Sequence, residues 1–221
     1  MKDELVIFNR PKSNISEDIR TIRTNLQFTA DSSSKVLLVT SSIPGEGKSF
    51  ISSNLAAAFA QTGEKVLLVD ADLRLGRVHK IFNQPAAKGF SNLLNSGVSS
   101  DLAEHIRKTT IPNLYILPRG VVPPNPSELL NSENCKEVIN VFTDNFDRVI
   151  FDGVPVNGLP DSLVLANLVD RVIIVSAIGY TSLDELAQTK KALEQVSAKI
   201  AGVVVNKAPA SKRGKYSNYY E

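Results

Sequence analysis

Residues 36 to 63 constrain this chain more tightly than any other stretch. Val36–Thr40 reads as a strand, Ser41–Gly47 as a glycine-containing loop, and Lys48–Thr62 as an alanine-rich helix that stops at Gly63. Inside it, Ser42-Ile43-Pro44-Gly45-Glu46-Gly47-Lys48-Ser49 has the glycine spacing and the closing Lys-Ser of a phosphate-binding loop, with Ser42 where the usual pattern opens on glycine. Gly45 and Gly47 let the backbone curl until its amides face phosphate oxygens. The helix N-terminus adds partial positive charge. Lys48 is placed to reach the β- and γ-phosphates, and the Ser49 hydroxyl to hold magnesium. The expected ligands are therefore ATP and Mg²⁺, with Pro44, Gly45, Glu46, Gly47, Lys48, Ser49 and Phe50 around the phosphates.

The other strand signals are Lys65–Asp70, Leu114–Leu117, Arg148–Asp152, Arg171–Ala177 and Gly202–Asn206. Most are continuous apolar runs, as in a parallel sheet buried on both faces. Helical patterns alternate with them over Ser16–Ala30, Asn134–Phe142, Asp161–Val169 and Ser182–Val196. This order predicts a doubly wound α/β fold, a mostly parallel sheet with helices on both faces. Residues 1–207 are expected to form one domain that includes an N-terminal helix at about 16–30. Residues 208–221 form a polar tail. Arg119–Pro126, with Gly120, Pro123, Pro124 and Pro126, reads as irregular.

Magnesium needs more oxygen ligands than one serine. Two aspartate groups follow apolar runs: Asp70-Ala71-Asp72-Leu73-Arg74 and Asp152-Gly153-Val154-Pro155. Strand C-termini of an open α/β sheet meet at the ligand crevice, so Asp70, Asp72 and Asp152 are expected to converge on Lys48. The alternative for Asp70 and Asp72 is a helix-capping strand exit. Arg74 is expected to steady a phosphate or the aspartates. Asn206, ending the last strand, is placed either to contact a bound base or simply to form a turn.

Bulk properties exclude several classes. A net charge of +2 is too small to argue for nucleic acid. The single cysteine, Cys135, allows no internal disulfide. No apolar run approaches the ~18–20 residues of a membrane helix, and Leu5–Phe8 is too short for a secretory signal. The expected location is cytoplasmic, with any membrane association supplied by a partner. His79 and His105 lack metal-ligand spacing and read as structural.

The three motifs, in this order, resemble those of the bacterial tyrosine kinases of capsule and exopolysaccharide synthesis, a family similar to the partitioning-type deviant P-loop ATPases. Glu17, Arg20 and Arg23 match that family's E-x-x-R-x-x-R motif. Pro123-Pro124-Asn125-Pro126-Ser127-Glu128-Leu129-Leu130 matches its Pro-rich segment, and Tyr216, Tyr219 and Tyr220 its C-terminal tyrosine cluster. One departure is Asp152-Gly153-Val154-Pro155, where the family writes Asp-[Ser/Thr]-Pro-Pro, which puts the local loop geometry in question.

The resemblance implies transfer of the ATP γ-phosphoryl to tyrosine. Lys48, Asp70, Asp72 and Asp152 would be catalytic: Asp70 as base, Asp72 as metal or positioning residue, and Ser49 with Asp152 on the metal. Tyr216, Tyr219 and Tyr220 would be acceptors in a neighbouring subunit. Glu17, Arg20 and Arg23 would pack subunits into a ring. A membrane-spanning activator with a cytoplasmic tail, protein tyrosine substrates and a counteracting tyrosine phosphatase complete the implied partners, and recruitment would be to the inner face of the cell membrane. Two rivals remain. A partitioning-type ATPase switch typically carries lysine where Ile43 stands. A nucleotide-gated scaffold would transfer no phosphate.

Overall fold

The computed structural model describes residues 4–29, 34–97 and 102–209. Seven strands form one sheet: β1 (Val36–Ser41), β2 (Val66–Asp70), β3 (Arg107–Lys108), β4 (Leu114–Leu117), β5 (Arg148–Pro155), β6 (Arg171–Ala177) and β7 (Ile200–Asn206), in the order β3-β4-β2-β5-β1-β6-β7. Every pairing is parallel except β3 with β4.

Side-chain alternation along the strands divides the core in two. Leu37, Val39, Leu68, Ile150, Ile173 and Val175 face one side, where they pack with α1 (Val6–Asn9), α2 (Asn14–Thr29) and α3 (Lys48–Ala60). Leu38, Leu67, Val69, Val149, Phe151 and Ile174 face the other, with α5 (Phe90–Ser96), α7 (Glu133–Asn145), α8 (Asp161–Ala166) and α9 (Leu183–Gln195) completing that layer. The burial of both faces explains why these strands read as unbroken apolar runs.

Several boundaries differ from the sequence reading. Ser41 ends β1 rather than opening the loop, and β5 runs on to Pro155. The last strand starts at Ile200 and is the sheet edge. Val203 and Val205 are exposed there, so its apolar run does not mean burial on both faces. Four short helices were not legible: α1, α4 (Val78–Ile81), α5 and α6 (Pro126–Leu130), the last beginning inside the stretch expected to be irregular. None exceeds seven residues, too short to display a 3.6-residue period. The two-residue β3 carries no pattern at all.

The strand continuing past Asp152 also accounts for the Gly153 departure. A Cβ at Gly153 would lie 2.6 Å from Ser162 Oγ and 2.8 Å from a Leu38 methyl. The Ser162 hydroxyl occupies that space, accepting from Val154 N at 2.9 Å and lying 2.6 Å from Val154 O. Glycine here lets α8 close onto β5. We expect Gly153→Ser to lower stability by about 1–3 kcal/mol through overpacking. Pairing it with Ser162→Ala should cost less than the two single changes summed, measured by denaturant unfolding.

Candidate active site

The loop after β1 meets the expected geometry of a phosphate cradle. Gly45 and Gly47 adopt φ +84° and +98°, the left-handed region that glycine enters at no steric cost. Gly47 precedes α3 directly. A Cβ there would sit 2.2 Å from Asn206 Nδ2, so a larger residue would strain the backbone and push Asn206 from its place.

Beside the loop lies a cavity of about 490 Å³. Pro44, Gly45, Gly47, Lys48, Ser49 and Phe50 line it, and so do Asp72 and Arg74 from the end of β2. Asp152 stands at its foot, almost wholly buried, within hydrogen-bond reach of Ser49 and Ser52 and close to the Lys48 charge. Burial pushes the Asp152 carboxyl up to about 6, against the pull of those hydroxyls and that lysine. Asp70, its register partner across β2 and β5, is also held well above the usual carboxylate range, first by burial and then by the Asp152 charge.

These groups fit a magnesium ion. Asp70 Oδ1 and Asp152 Oδ1 are buried without a hydrogen-bond partner among the described residues. Two buried carboxylates beside a serine hydroxyl repel each other unless a cation or protons neutralise them. No group of three or more His, Cys, Asp or Glu forms a self-contained cage among the described residues. Magnesium takes one or two carboxylates and completes its shell with substrate phosphates and water.

The structure separates the aspartates that were expected to act together. Asp70, expected to be the base, does not line the cavity. It is 0 % exposed, its Oδ2 accepts from Val78 N at 3.0 Å, and Gly76 is packed so closely that a Cβ would lie 2.3 Å from Asp70 Oδ1. Asp72 is the aspartate on the cavity wall, its Oδ1 receiving Leu75 N at 2.8 Å and Arg74 N at 3.2 Å. Both aspartates were expected to converge on Lys48. The chain leaves the strand after Asp70, so they diverge.

Glu46 also points away from the cavity. Its buried carboxylate accepts from Ile43 N (2.7 Å), Ala177 N (3.3 Å) and Thr181 Oγ1, tying the loop to the end of β6. Asn206 donates to Glu46 O at 2.8 Å and its Oδ1 accepts from Lys207 N, so in this structure it braces the loop. Lys207 Nζ donates to Gly45 O at 2.8 Å and lies 3.9 Å from the centre of the Tyr180 ring.

Asp161 was not among the residues expected at the site. Its buried carboxylate holds Arg74 in a two-pronged pair, Nε–Oδ2 2.9 Å and Nη2–Oδ1 3.2 Å, which fixes the guanidinium on the cavity wall. Its position just after the β5 loop, at the first residue of a helix, was the available signal. Glu17 and Arg20 pair with each other, and Arg23 Nη1 donates to Ala58 O at 3.0 Å. Tyr216, Tyr219 and Tyr220 lie outside the described residues.

The raised Asp152 pKa has a consequence for stability. An unfolded aspartate titrates near ~3.9, so the folded state binds the extra proton between about pH 4 and about 6. Its contribution is full below that window and is lost as pH rises through about 6. Without nucleotide or magnesium, Asp152→Asn should therefore gain stability relative to the parent as pH goes from 4.5 to 7.5. Parallel unfolding curves at each pH check this, and a pH-independent difference contradicts it.

A family model described as an AAA domain matches residues 34–205. Tyrosine-protein kinase YwqD of Bacillus subtilis (strain 168) is 37% identical over 220 residues, covering 99% of this chain and 92% of that protein. The putative tyrosine-protein kinase CapB of Staphylococcus aureus is 36% identical over 98% of this chain and 94% of its own. The crystal structure of the chimerical protein CapA2B2 superposes with a TM-score of 0.89 at 39% identity, covering 93% of this chain and 90% of that one. With that agreement in sequence and fold, the chain belongs to the bacterial tyrosine-protein kinase family.

Proposed function

We propose that this protein transfers the γ-phosphoryl group of ATP to tyrosine hydroxyls, its own Tyr216, Tyr219 and Tyr220 among them, within an oligomer. The observation that carries the reading is one cavity that brings Lys48, Ser49 and Asp72 together above Asp152. A hydrolytic switch needs only a water in that space. A kinase needs a carboxylate on the open wall to meet an incoming phenol, and Asp72 occupies that place.

In this mechanism the loop amides and Lys48 bind and orient the phosphates. Ser49 and Asp152 would hold magnesium, which when bound would neutralise charge on the phosphoryl oxygens. Arg74, fixed by Asp161, faces the same space. As the phenol oxygen attacks, its P–O bond forms while the bond to the β-phosphate bridging oxygen breaks. The phenol proton passes to Asp72, and ADP leaves with the bridging oxygen. A phenol of pKa near 10 needs only modest help from a carboxylate beside a metal. Asp70 shapes the buried charge under the site and does not meet the substrate.

The finer picture is also ours. Residues 1–207 act as the kinase unit and 208–221 as the acceptor tail. Glu17, Arg20 and Arg23 lie on α2 and are assigned to subunit contacts in a ring. Each phosphate added to the tail brings about −1.5 to −2 charges and repels the acidic site, loosening that ring. No helix among the described residues is long and apolar enough to cross a membrane. A membrane-spanning activator with a cytoplasmic tail is the proposed route to the inner membrane face, where the kinase would act in capsule or exopolysaccharide synthesis and a tyrosine phosphatase would reverse it.

The test is direct. Purified protein with MgATP should yield phosphotyrosine by immunoblot and mass spectrometry, with and without an activator tail. Lys48→Met should lower it at least a hundredfold, and Tyr216→Phe/Tyr219→Phe/Tyr220→Phe should remove most of it. Phosphate release without phosphotyrosine would assign the chain to the ATPase switches instead.

A further inference from the structure

We propose that the segment Glu4–Asn9 forms the acceptor side of the active site, and that Glu4 selects tyrosines flanked by basic residues. The proposal rests on the kinase reading above and adds a substrate preference to it.

The first support is Asn54. It is fully buried in the middle of α3, among Leu55, Ala56 and other apolar neighbours. A buried amide needs partners, and most of those it has come from this segment. Its Nδ2 donates to Glu4 O (2.7 Å) and Phe50 O (2.8 Å), and its Oδ1 accepts from Ile7 N (3.1 Å). Val6 and Ile7 are buried beside it, and the Ser16 hydroxyl lies 3.2 Å from Val6 O and 2.7 Å from Arg10 O. The segment is thus strapped to the very helix that starts at Lys48.

The second support is where the strap delivers its charge. Glu4 lines the same cavity as Lys48 and Asp72, and Arg77 Nη2 sits 2.6 Å from its Oε1. Both side chains are partly exposed, and exposed ion pairs contribute little, so a substrate cation can replace Arg77 at low cost. Phe50, Ile81 and the 81 % exposed Leu75 form an apolar wall nearby that suits a phenol ring.

The third support is the asymmetry of the loop's surroundings. Asn206, Lys207 and Tyr180 brace it from the β6–β7 side and do not line the cavity. The β2–β5 side, with Asp72, stays open for the acceptor. The proposed acceptors carry matching charge: Lys215 directly precedes Tyr216, and Lys212 and Arg213 lie just before it.

The experiment uses full-length chains. Enzymes carry Tyr216→Phe/Tyr219→Phe/Tyr220→Phe, so they cannot consume themselves. Substrates are Lys48→Met chains with either the native tail or Lys212→Glu/Arg213→Glu/Lys215→Glu. Initial rates of phosphotyrosine formation give kcat/KM for each substrate, with the KM for ATP as internal reference. The unmutated Glu4 enzyme should prefer the native tail about tenfold. Glu4→Lys should invert that preference, and the isosteric Glu4→Gln should abolish it without inverting it. A preference within twofold of the parent in both variants overturns the proposal. Absence of phosphotyrosine with the Glu4 enzyme on both tails, with an activator tail present, removes the kinase reading and this proposal with it.

Discussion

The structure is organised around a charge that is costly to bury. Asp152 sits on β5, third from either flank of the strand run β4-β2-β5-β1-β6, beneath the phosphate loop and with almost no exposure. Removing a carboxylate from water costs several kcal/mol even after relaxation. Ser49, Ser52 and Lys48 offset part of that, yet its carboxyl still sits at about 6. A cation or a proton is what would neutralise the rest. A fold that tolerates this in its centre needs a rigid surround, which two apolar layers and an unbroken β5 provide.

A second buried carboxylate solves a different problem. The loop's two left-handed glycines make it conformationally free, and the phosphates would have to order it on binding. Glu46 anchors it instead, through Ile43 N, Ala177 N and Thr181 Oγ1, while Asn206 and Lys207 take the Glu46 and Gly45 carbonyls. The cradle is thereby pre-organised from the β6–β7 side. The β2–β5 side keeps its functional groups, Asp72 and Arg74, on an open wall.

Much of this was legible in the sequence, and the limits have physical reasons. The strand–loop–helix unit and the aspartates at strand ends were readable because period, glycine placement and strand-end position are local signals. The family resemblance pointed the same way. What failed was direction. Asp70 and Asp72 share a motif, but a turn after β2 sends one carboxylate inward and the other to the wall. Glu46 sits in the phosphate loop yet faces a threonine 135 residues away. Asp161 holds Arg74 across 87 residues. Such long-range pairings leave no periodic trace. The exposed edge strand β7 showed the converse: Val203–Val205 reads as core although only its neighbours on one side cover it.

The account stands or falls on Asp152 as the carboxylate that receives magnesium beneath the phosphates. Titration calorimetry of ATP binding with and without Mg²⁺, on the parent and on Asp152→Asn, tests this most directly. Magnesium should strengthen binding to the parent at least tenfold and have little effect on Asp152→Asn. If magnesium strengthens binding equally in both, Asp152 is not the metal carboxylate and the account is wrong at its centre.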